Sequence, residues 1–199
     1  IEHFIFVTGR NKGVIEDHFD KQYELESTLR KRGKSAELDL LEQDLPGAGQ
    51  ASFTRQQEPL GLGHAVWCAR ALVGDEPFAL LLPDMVMHAR PGCLRQMIEV
   101  YEARGGGNVI AVEEVPWEQV HRYGVVGAKD WKGNAFTIDG MVEKPKREAA
   151  PSNLIISGRY ILQPEIFAIL ENQERGAGGE IQLTDAMKAL AQQQPFHAV

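Results

Sequence analysis

The chain has 199 residues, with 28 acidic against 21 basic side chains, a formal net charge of −7 at pH 7, and 43% hydrophobic residues. This hydrophobic share is too high for a disordered chain, and the length suits one compact domain. The acidic balance argues against a general nucleic-acid binder, which carries a basic face. The apolar run over residues 78–82 is strand-sized and far shorter than the roughly 18 residues of a membrane helix. We therefore expect a globular protein whose partners are neither nucleic acids nor membranes.

The cysteine and histidine patterns argue against a zinc site. Cys68 and Cys93 form no CxxC motif, and the six histidines show no ligand spacing such as HExxH. Zinc requires about four cysteine or histidine ligands at short spacings. We predict two buried free thiols in a reducing compartment, which makes the cytoplasm the expected location.

Strands and helices alternate through the first half of the chain. In order, we predict a strand over residues 3–8, helices over 14–19, 20–32 and 36–45, a strand over 52–56, a helix over 64–72, a strand over 78–82, an amphipathic helix around 94–101 and a strand over 108–112. In the second of these helices, Tyr23, Leu25 and Leu29 are predicted to form the apolar side.

The middle of the chain is richer in strands. We predict strands over residues 125–128, 135–142 and 154–162, then helices over 164–170 and 183–190. Alternating elements followed by a strand-rich stretch are typical of an α/β fold. We predict one continuous domain, with a first part over residues 1–114 and a β-rich part with the closing helices over residues 115–199.

A glycine-punctuated loop runs from Gln56 into the helix that begins near His64. Gly61 and Gly63 would let the backbone approach a flat ligand, and Gln56 offers both a hydrogen-bond donor and an acceptor. The edge of a pyrimidine base presents the same alternation of donors and acceptors. A plain loop before a helix has the same spacing, so the motif by itself leaves both interpretations open.

Charged residues follow two of the predicted strands. Asp84 comes after an apolar strand, at the kind of position where ligands of open α/β sheets gather. A carboxylate there could hold Mg²⁺ with phosphates, or simply cap a turn. Glu143 and Lys144 end a later strand, where the carboxylate could accept from sugar hydroxyls and the ammonium could meet a phosphate. A solvated turn before Pro145 is the alternative at that position.

Taken together, these segments resemble the bacterial UTP–glucose-1-phosphate uridylyltransferases, also called UDP-glucose pyrophosphorylases. The resemblance depends on an ordered set of strings that extends over nearly the whole chain. These are Arg55-Gln56, Leu60-Gly61-Leu62-Gly63-His64-Ala65, Val73-Gly74-Asp75-Glu76-Pro77, Leu82-Pro83-Asp84, Tyr123-Gly124-Val125-Val126, Val142-Glu143-Lys144-Pro145-Lys146, Ala150-Pro151-Ser152-Asn153-Leu154, Gly158-Arg159-Tyr160 and Gly179-Glu180-Ile181-Gln182-Leu183-Thr184-Asp185-Ala186.

The resemblance implies a Rossmann-like nucleotidyltransferase fold, with a mixed central sheet flanked by helices and a β-rich sugar-binding subdomain. Residues 1–114 would bind the nucleotide and residues 115–199 the sugar. The implied reaction joins UTP and α-D-glucose 1-phosphate into UDP-glucose and pyrophosphate, with Mg²⁺ as the cofactor. It also implies a homodimer or a homotetramer.

The same resemblance implies roles for individual residues. Gln56 and Gly61 would bind the uracil of the nucleotide. Asp84 would hold Mg²⁺ as a catalytic residue. The glucose hydroxyls would meet Gly124 and Glu143, and the sugar phosphate would meet the second catalytic residue, Lys144. Ile156 would line the sugar pocket.

Two parts of the family pattern do not occur between Ile1 and Val199. They are the glycine-rich GxGxRxxPxxK loop and the second metal-binding aspartate. We therefore expect the 199-residue chain alone to be inactive. Three alternatives remain: a sugar-1-phosphate nucleotidyltransferase specific for dTTP or ATP, a non-catalytic module that binds nucleotide sugars, and a GT-A glycosyltransferase. The last usually carries a D-x-D motif, whereas Met85 and Val86 follow Asp84 here.

Overall fold

The computed structural model describes residues 1–43, 45–128 and 134–199. Its residues form two compact units, Ile1–Pro59 and Leu60–Val199. In the first unit, β1 spans Phe4–Thr8, α1 Gly13–Phe19, α2 Tyr23–Lys31, α3 Ser35–Gln43 and β2 Ala51–Arg55. In the second, α4 spans Leu62–Trp67, α5 Arg70–Val73, β3 Phe78–Leu81, α6 Cys93–Ala103, β4 Asn108–Glu114, β5 Gly124–Ala128, β6 Phe136–Glu143, β7 Leu154–Leu162, α7 Ile166–Asn172, α8 Leu183–Leu190 and β8 Phe196–Ala198. Short 3-10 helices span Trp117–Arg122, Arg147–Ala149 and Ala177–Gly179.

The first unit is built on a parallel pair of strands. β1 and β2 run in register from Phe4 opposite Ala51 to Thr8 opposite Arg55. The ring of Phe6 stacks on Phe53, with centroids 4.9 Å apart, and contacts Phe19 of α1 at 4.5 Å. These ring contacts hold α1 against the strands.

The apolar side predicted for α2 is wrong at Tyr23 and Leu25, whereas Leu29 is half-buried. Tyr23 is 75% exposed and Leu25 is 43% exposed, whereas Glu26 is buried. The carboxylate of Glu26 accepts a hydrogen bond from Arg30 at 3.3 Å, which partly compensates its removal from water. Periodicity alone gave the wrong face, because which side of a short helix is covered depends on its neighbours.

A mixed six-stranded sheet organises the second unit. Its strand order is β3-β7-β4-β8-β6-β5, and β5 also pairs with β7. β4 and β8 run parallel, while β7 is antiparallel to β3, to β4 and to β5. Because β7 touches three strands, it brings the end of β3 and the start of β5 into one neighbourhood. The predicted mixed central sheet with flanking helices is confirmed.

Successive side chains of β4 point to opposite faces of the sheet and belong to two different hydrophobic clusters. Val109 and Ala111 pack with Met97 of α6. Ile110, pointing the other way, packs with residues of α7 and α8 such as Leu170 and Met187. Helices therefore cover both faces of the sheet. β4 and β5 lie on either side of the predicted boundary at residues 114 and 115 but belong to one sheet, and that division stays a prediction.

The single helix predicted over residues 64–72 is interrupted. α4 ends at Trp67 and α5 begins at Arg70. At the break the Ala69 amide bonds to Val66 rather than one residue further back, and the Trp67 carbonyl accepts from the Arg70 guanidinium at 3.2 Å. The Arg70 side chain also lies over the Trp67 ring, 3.5 Å from its centroid. The Arg70 side chain thus donates to the Trp67 carbonyl oxygen the hydrogen bond that a backbone amide would donate in an uninterrupted helix.

Both cysteines are free, and burial raises the pKa of the Cys68 and Cys93 thiols. The thiols therefore stay protonated near neutral pH.

None of the helices in the described residues combines the length and apolar character of a membrane span.

We expect acid to destabilise the second unit through His197. His197 lies in β8 and is 7% exposed, and burial, aided by the nearby Arg104 charge, lowers its pKa below 6.5. The unfolded chain then binds a proton more readily than the folded one as the pH falls through 6.5. The free energy of unfolding should therefore be highest above that pH and should decrease as the pH is lowered further. Urea titrations at pH values from 7.5 to 5.5, roughly one unit on either side of the pKa of a free histidine, measure the change in stability.

His197→Gln should flatten the acid side of that profile, because its amide stays neutral at every pH used. The exposed His121 offers the matched change, and His121→Gln should leave the profile as it is. Equal slopes for His197→Gln and the parent chain would contradict the assignment.

Candidate functional site

Three of the residues predicted to bind a sugar converge at one point of the second unit. Gly124 begins β5 and lies opposite Glu143, the last residue of β6. A Cβ atom on Gly124 would lie 3.0 Å from the Ile156 Cδ1 atom and 3.2 Å from Glu143 Oε2. Glycine is thus the residue that leaves room between these side chains, and any larger residue would push into them.

Lys144 follows directly and holds an unusual backbone conformation. Its φ is +44°, in the left-handed region that residues other than glycine rarely adopt. Its amide donates to the Tyr123 carbonyl oxygen at 3.0 Å, and the buried Pro145 comes next. The Lys144 ammonium lies 3.6 Å from a Glu143 carboxylate oxygen, and its side chain is half exposed. Strain of this kind concentrates at functional sites, where surrounding contacts maintain it.

Thr184, in the first turn of α8, also reaches this cluster. Its hydroxyl donates a hydrogen bond to Glu143 Oε2 at 2.7 Å and would lie 3.0 Å from a Cβ on Gly124. The motif around Thr184 contributes to the family resemblance, which implies no role for Thr184 itself. The contact joins residues 41 positions apart, so no local pattern signals it.

Asp84 lies on an exposed turn just after β3. The turn is tied to β7: the Arg159 guanidinium donates to the Leu82 carbonyl oxygen at 2.5 Å and also to the Met85 carbonyl oxygen. The Leu82 amide in turn donates to the Gly158 carbonyl oxygen at 2.9 Å. The string Gly158-Arg159-Tyr160 carried the family resemblance, but its part in holding this turn was not predicted.

Tyr160, on β7, interacts electrostatically with both Asp84 and Glu143. Burial, and then the negative charges of Glu143 and Asp84, raise its pKa well above the ordinary value. Both carboxylates therefore act on the same buried hydroxyl, which stays protonated. Tyr160 lies on β7, which pairs both with β3, the strand before the Asp84 turn, and with β5, the strand opposite Glu143.

The glycine-punctuated loop packs against the segment that precedes α8. The Ile181 amide donates to the Leu60 carbonyl oxygen, and the Gly63 amide donates to the Ile181 carbonyl oxygen at 2.8 Å. Gly61 has a φ of +103°, and a Cβ there would lie 2.7 Å from the Glu180 Cβ and 2.9 Å from the Ile181 oxygen. The loop that carries Gly61 and the segment that carries Thr184 are thus in direct backbone contact.

Gln56, the other predicted uracil-binding residue, belongs to the first unit. It follows β2, and its amide donates to the Thr8 carbonyl oxygen at 2.9 Å, which extends the pairing of β1 and β2. Its side chain is partly exposed. The role assigned to Gln56 stays a prediction.

The carboxylate of Asp84 is the candidate ligand for a magnesium ion. In the described ranges no three or more histidine, cysteine or acidic side chains are grouped in a way that could hold a metal by themselves. Within those same ranges the Asp84 carboxylate makes no hydrogen bond or ion pair. A single accessible carboxylate fits Mg²⁺ that arrives with phosphates and keeps several waters, rather than a closed protein cage.

Comparison with known proteins gives the family. The model of the family described as "Nucleotidyl transferase" matches residues 2–198. This chain belongs to the nucleotidyl transferase family. Within it, the chain is 49% identical over 192 residues to a UTP–glucose-1-phosphate uridylyltransferase of Bacillus subtilis (strain 168), a match that covers 96% of this chain and 64% of that relative. The resemblance inferred from the ordered motifs is confirmed.

Solved structures of the family show the same architecture. A UTP-bound UGPase from Acinetobacter baumannii superimposes with a TM-score of 0.86 at 39% identity, covering 100% of this chain and 69% of that one. A UDP-glucose pyrophosphorylase complexed with UDP-glucose gives a TM-score of 0.83 at 38% identity, covering 99% and 72%. The chain spans about two thirds of the length of the curated relatives it matches.

Proposed function

We propose that the protein transfers a uridylyl group from UTP to α-D-glucose 1-phosphate, giving UDP-glucose and pyrophosphate. The observation that carries the proposal is the convergence of Gly124, Glu143 and Ile156 on one point, with Lys144 beside them. This arrangement offers a carboxylate for sugar hydroxyls, an apolar wall and a cation for a phosphate. Nucleotidyl transferase relatives with UTP or UDP-glucose bound support the choice of ligands.

The proposed reaction requires alignment more than acid–base chemistry. An oxygen of the sugar phosphate forms a bond to the α-phosphorus of UTP, the bond from that phosphorus to the oxygen bridging to the β-phosphorus breaks, and pyrophosphate leaves. The sugar phosphate is already a nucleophile, so positioning and charge stabilisation supply the catalysis. Glu143 would hold the sugar, and Lys144 would bind its phosphate as a point charge.

Asp84 would hold the magnesium ion, and the bound ion would neutralise negative charge on the phosphates. Gln56 and Gly61 are proposed to bind the uracil. Uracil and thymine present the same hydrogen-bonding edge and differ only in one methyl group. Contacts from Gln56 and Gly61 therefore do not by themselves separate UTP from dTTP, and the nucleotide preference is part of the proposal. The curated relatives favour UTP over dTTP or ATP.

A nucleotide panel tests the proposed function. The full gene product is mixed with glucose 1-phosphate, Mg²⁺ and one of UTP, dTTP or ATP, and pyrophosphate release is followed. Release with UTP, and only when both substrates are present, is expected. Preference for dTTP or ATP would identify another sugar-1-phosphate nucleotidyltransferase, whereas binding of UDP-glucose without any turnover would identify a non-catalytic module.

Lys144→Ala should weaken the use of the sugar phosphate. The change removes the ammonium that lies beside Glu143, so KM for glucose 1-phosphate should rise about 10-fold or more and kcat should fall. KM for UTP should change much less. Steady-state kinetics with each substrate varied in turn measure this.

Lys146→Ala is the matched control, since this exposed lysine is two positions away on the same loop. It should leave both KM values close to those of the parent protein. Equal kinetics for Lys144→Ala and Lys146→Ala would refute the role of Lys144.

Three further expectations belong to this proposal. Activity should depend on Mg²⁺ and be lost on chelation. The protein should form a homodimer or homotetramer, which sedimentation measures. It should act in the cytoplasm, in keeping with two free thiols and a reducing compartment.

A further inference from the structure

Thr184 makes a contact that its position in a helix does not explain. Its hydroxyl, on a residue that is 8% exposed, donates to Glu143 Oε2 at 2.7 Å. A threonine in the first turn could instead serve the helix by bonding to free backbone amides. The N-cap of α8 is Gln182, however, and the Gln182 side chain makes no capping hydrogen bond to the helix. The Thr184 hydroxyl is thus committed to a residue of the proposed sugar site.

The contact fixes the orientation of the Glu143 carboxylate. The Glu143 side chain is 13% exposed, and its other oxygen lies 3.6 Å from the Lys144 ammonium. The hydrogen bond from Thr184 holds Oε2 in place. Oε1 then lies on the side of Lys144 and remains available to accept a hydrogen bond from a ligand. A buried carboxylate oxygen that loses its donor either stays unsatisfied or rotates to find another.

The neighbours restrict where the carboxylate can go. A Cβ on Gly124 would lie within 3.2 Å of Glu143 Oε2, Thr184 Oγ1 and Ile156 Cδ1, so these atoms already pack closely around the glycine. A rotation of the carboxylate would therefore change the space left for a sugar ring. The hydrogen bond controls both the direction of the acceptor and the shape of the pocket.

We propose that Thr184 is a positioning residue that sets the orientation of Glu143 for binding the sugar hydroxyls of the sugar phosphate. This inference rests on the proposed function, since it assigns Glu143 to a sugar. Thr184 acts through Glu143 and touches neither the nucleotide nor the reacting phosphorus in this account. Its effect is therefore confined to the sugar-phosphate substrate.

Three variants of the full gene product test the inference. Thr184→Val removes the hydroxyl with little change of shape, and Thr184→Ser keeps it. Thr28→Val makes the same chemical change at an exposed helix position in the first unit. KM for glucose 1-phosphate, KM for UTP and kcat are measured for each, together with the thermal midpoint.

Thr184→Val should raise KM for glucose 1-phosphate about 10-fold, the effect of leaving one buried acceptor without its donor. KM for UTP should stay within about twofold, as expected for a site that is not coupled to the change. Thr184→Ser should restore most of the loss, and Thr28→Val should behave as the parent protein.

A double-mutant cycle separates positioning from general packing. In a Glu143→Ala background the carboxylate is gone, so Thr184→Val should raise KM for glucose 1-phosphate by less than about twofold. An unchanged KM for glucose 1-phosphate in Thr184→Val, a parallel rise for both substrates, or an undiminished effect in the Glu143→Ala background would each overturn the inference. If the parent protein itself neither turns over nor binds UDP-glucose, the proposed function fails and the inference fails with it.

Discussion

Asp84→Asn is expected to reduce kcat/KM for UTP by about a hundredfold to a thousandfold, the range seen when one electrostatic contact to a transition state is removed. The change keeps the size of the side chain and removes its negative charge. Arg159 holds the turn through the Leu82 and Met85 carbonyl oxygens, so the backbone position of residue 84 does not depend on the carboxylate. The effect should therefore come from lost charge rather than from a displaced loop.

Two measurements separate these causes. Titration with Mg²⁺ at fixed UTP should show a weaker dependence for the variant, both in turnover and in equilibrium binding of UTP. Asp75→Asn is the matched control, because the exposed Asp75 precedes β3 whereas Asp84 follows it. An Asp84→Asn variant with the same Mg²⁺ dependence as the parent and as Asp75→Asn would remove Asp84 from the site.

Gly61→Ala is expected to lower the free energy of unfolding by about 4 kcal/mol, as the sum of backbone strain and steric overlap. The backbone at Gly61 has φ 103° and ψ 176°, a combination that residues with a Cβ avoid. The added carbon would also lie 2.7 Å from the Glu180 Cβ and 2.9 Å from the Ile181 carbonyl oxygen. The Ile181 oxygen is backbone that already bonds to Gly63, so it has little freedom to move.

Gly74→Ala isolates the steric part of this effect. Gly74 has a related backbone conformation, with φ 69° and ψ −141°, but no atom lies within 4 Å of the place where its Cβ would be. It should therefore cost about 2 kcal/mol from strain alone. Urea unfolding of the parent and both variants measures the difference. Equal losses for the two variants would show that the contact with Glu180 and Ile181 is not tight.

Gly61→Ala should also weaken nucleotide binding, because the loop must move away from Ile181 to accommodate the methyl group. Gly74→Ala should leave UTP binding unchanged. Isothermal titration at a temperature where both variants are folded checks this, and full UTP affinity in Gly61→Ala would contradict the proposed role of the loop.

Much of the element pattern was predictable because each element carries a local hydrophobic period. The helix predicted around residues 94–101 is found as Cys93–Ala103, with Met97 fully buried. The strand predicted over residues 154–162 is found with the same bounds. Predictions that depended on what covers an element were less successful. Leu25 is exposed although it was predicted on the apolar side of α2, and the helix is interrupted after Trp67, whose carbonyl oxygen bonds to the Arg70 side chain.

The family and the candidate residues could be inferred from the sequence by itself, because a long ordered set of short motifs is specific even where each motif is weak. Those inferences depend only on the order and identity of residues along the chain.

Tertiary structure decided which of these residues meet. β7 pairs with both β3 and β5, and the charges of Asp84 and Glu143 both raise the pKa of Tyr160 on β7. The hydrogen bonds from Thr184 to Glu143 and from Arg159 to Leu82 join residues 41 and 77 positions apart. No local period or propensity encodes such contacts, because strand order and helix docking are settled by the packing of the whole sheet. The positioning of the site is therefore a property of the fold rather than of any single motif.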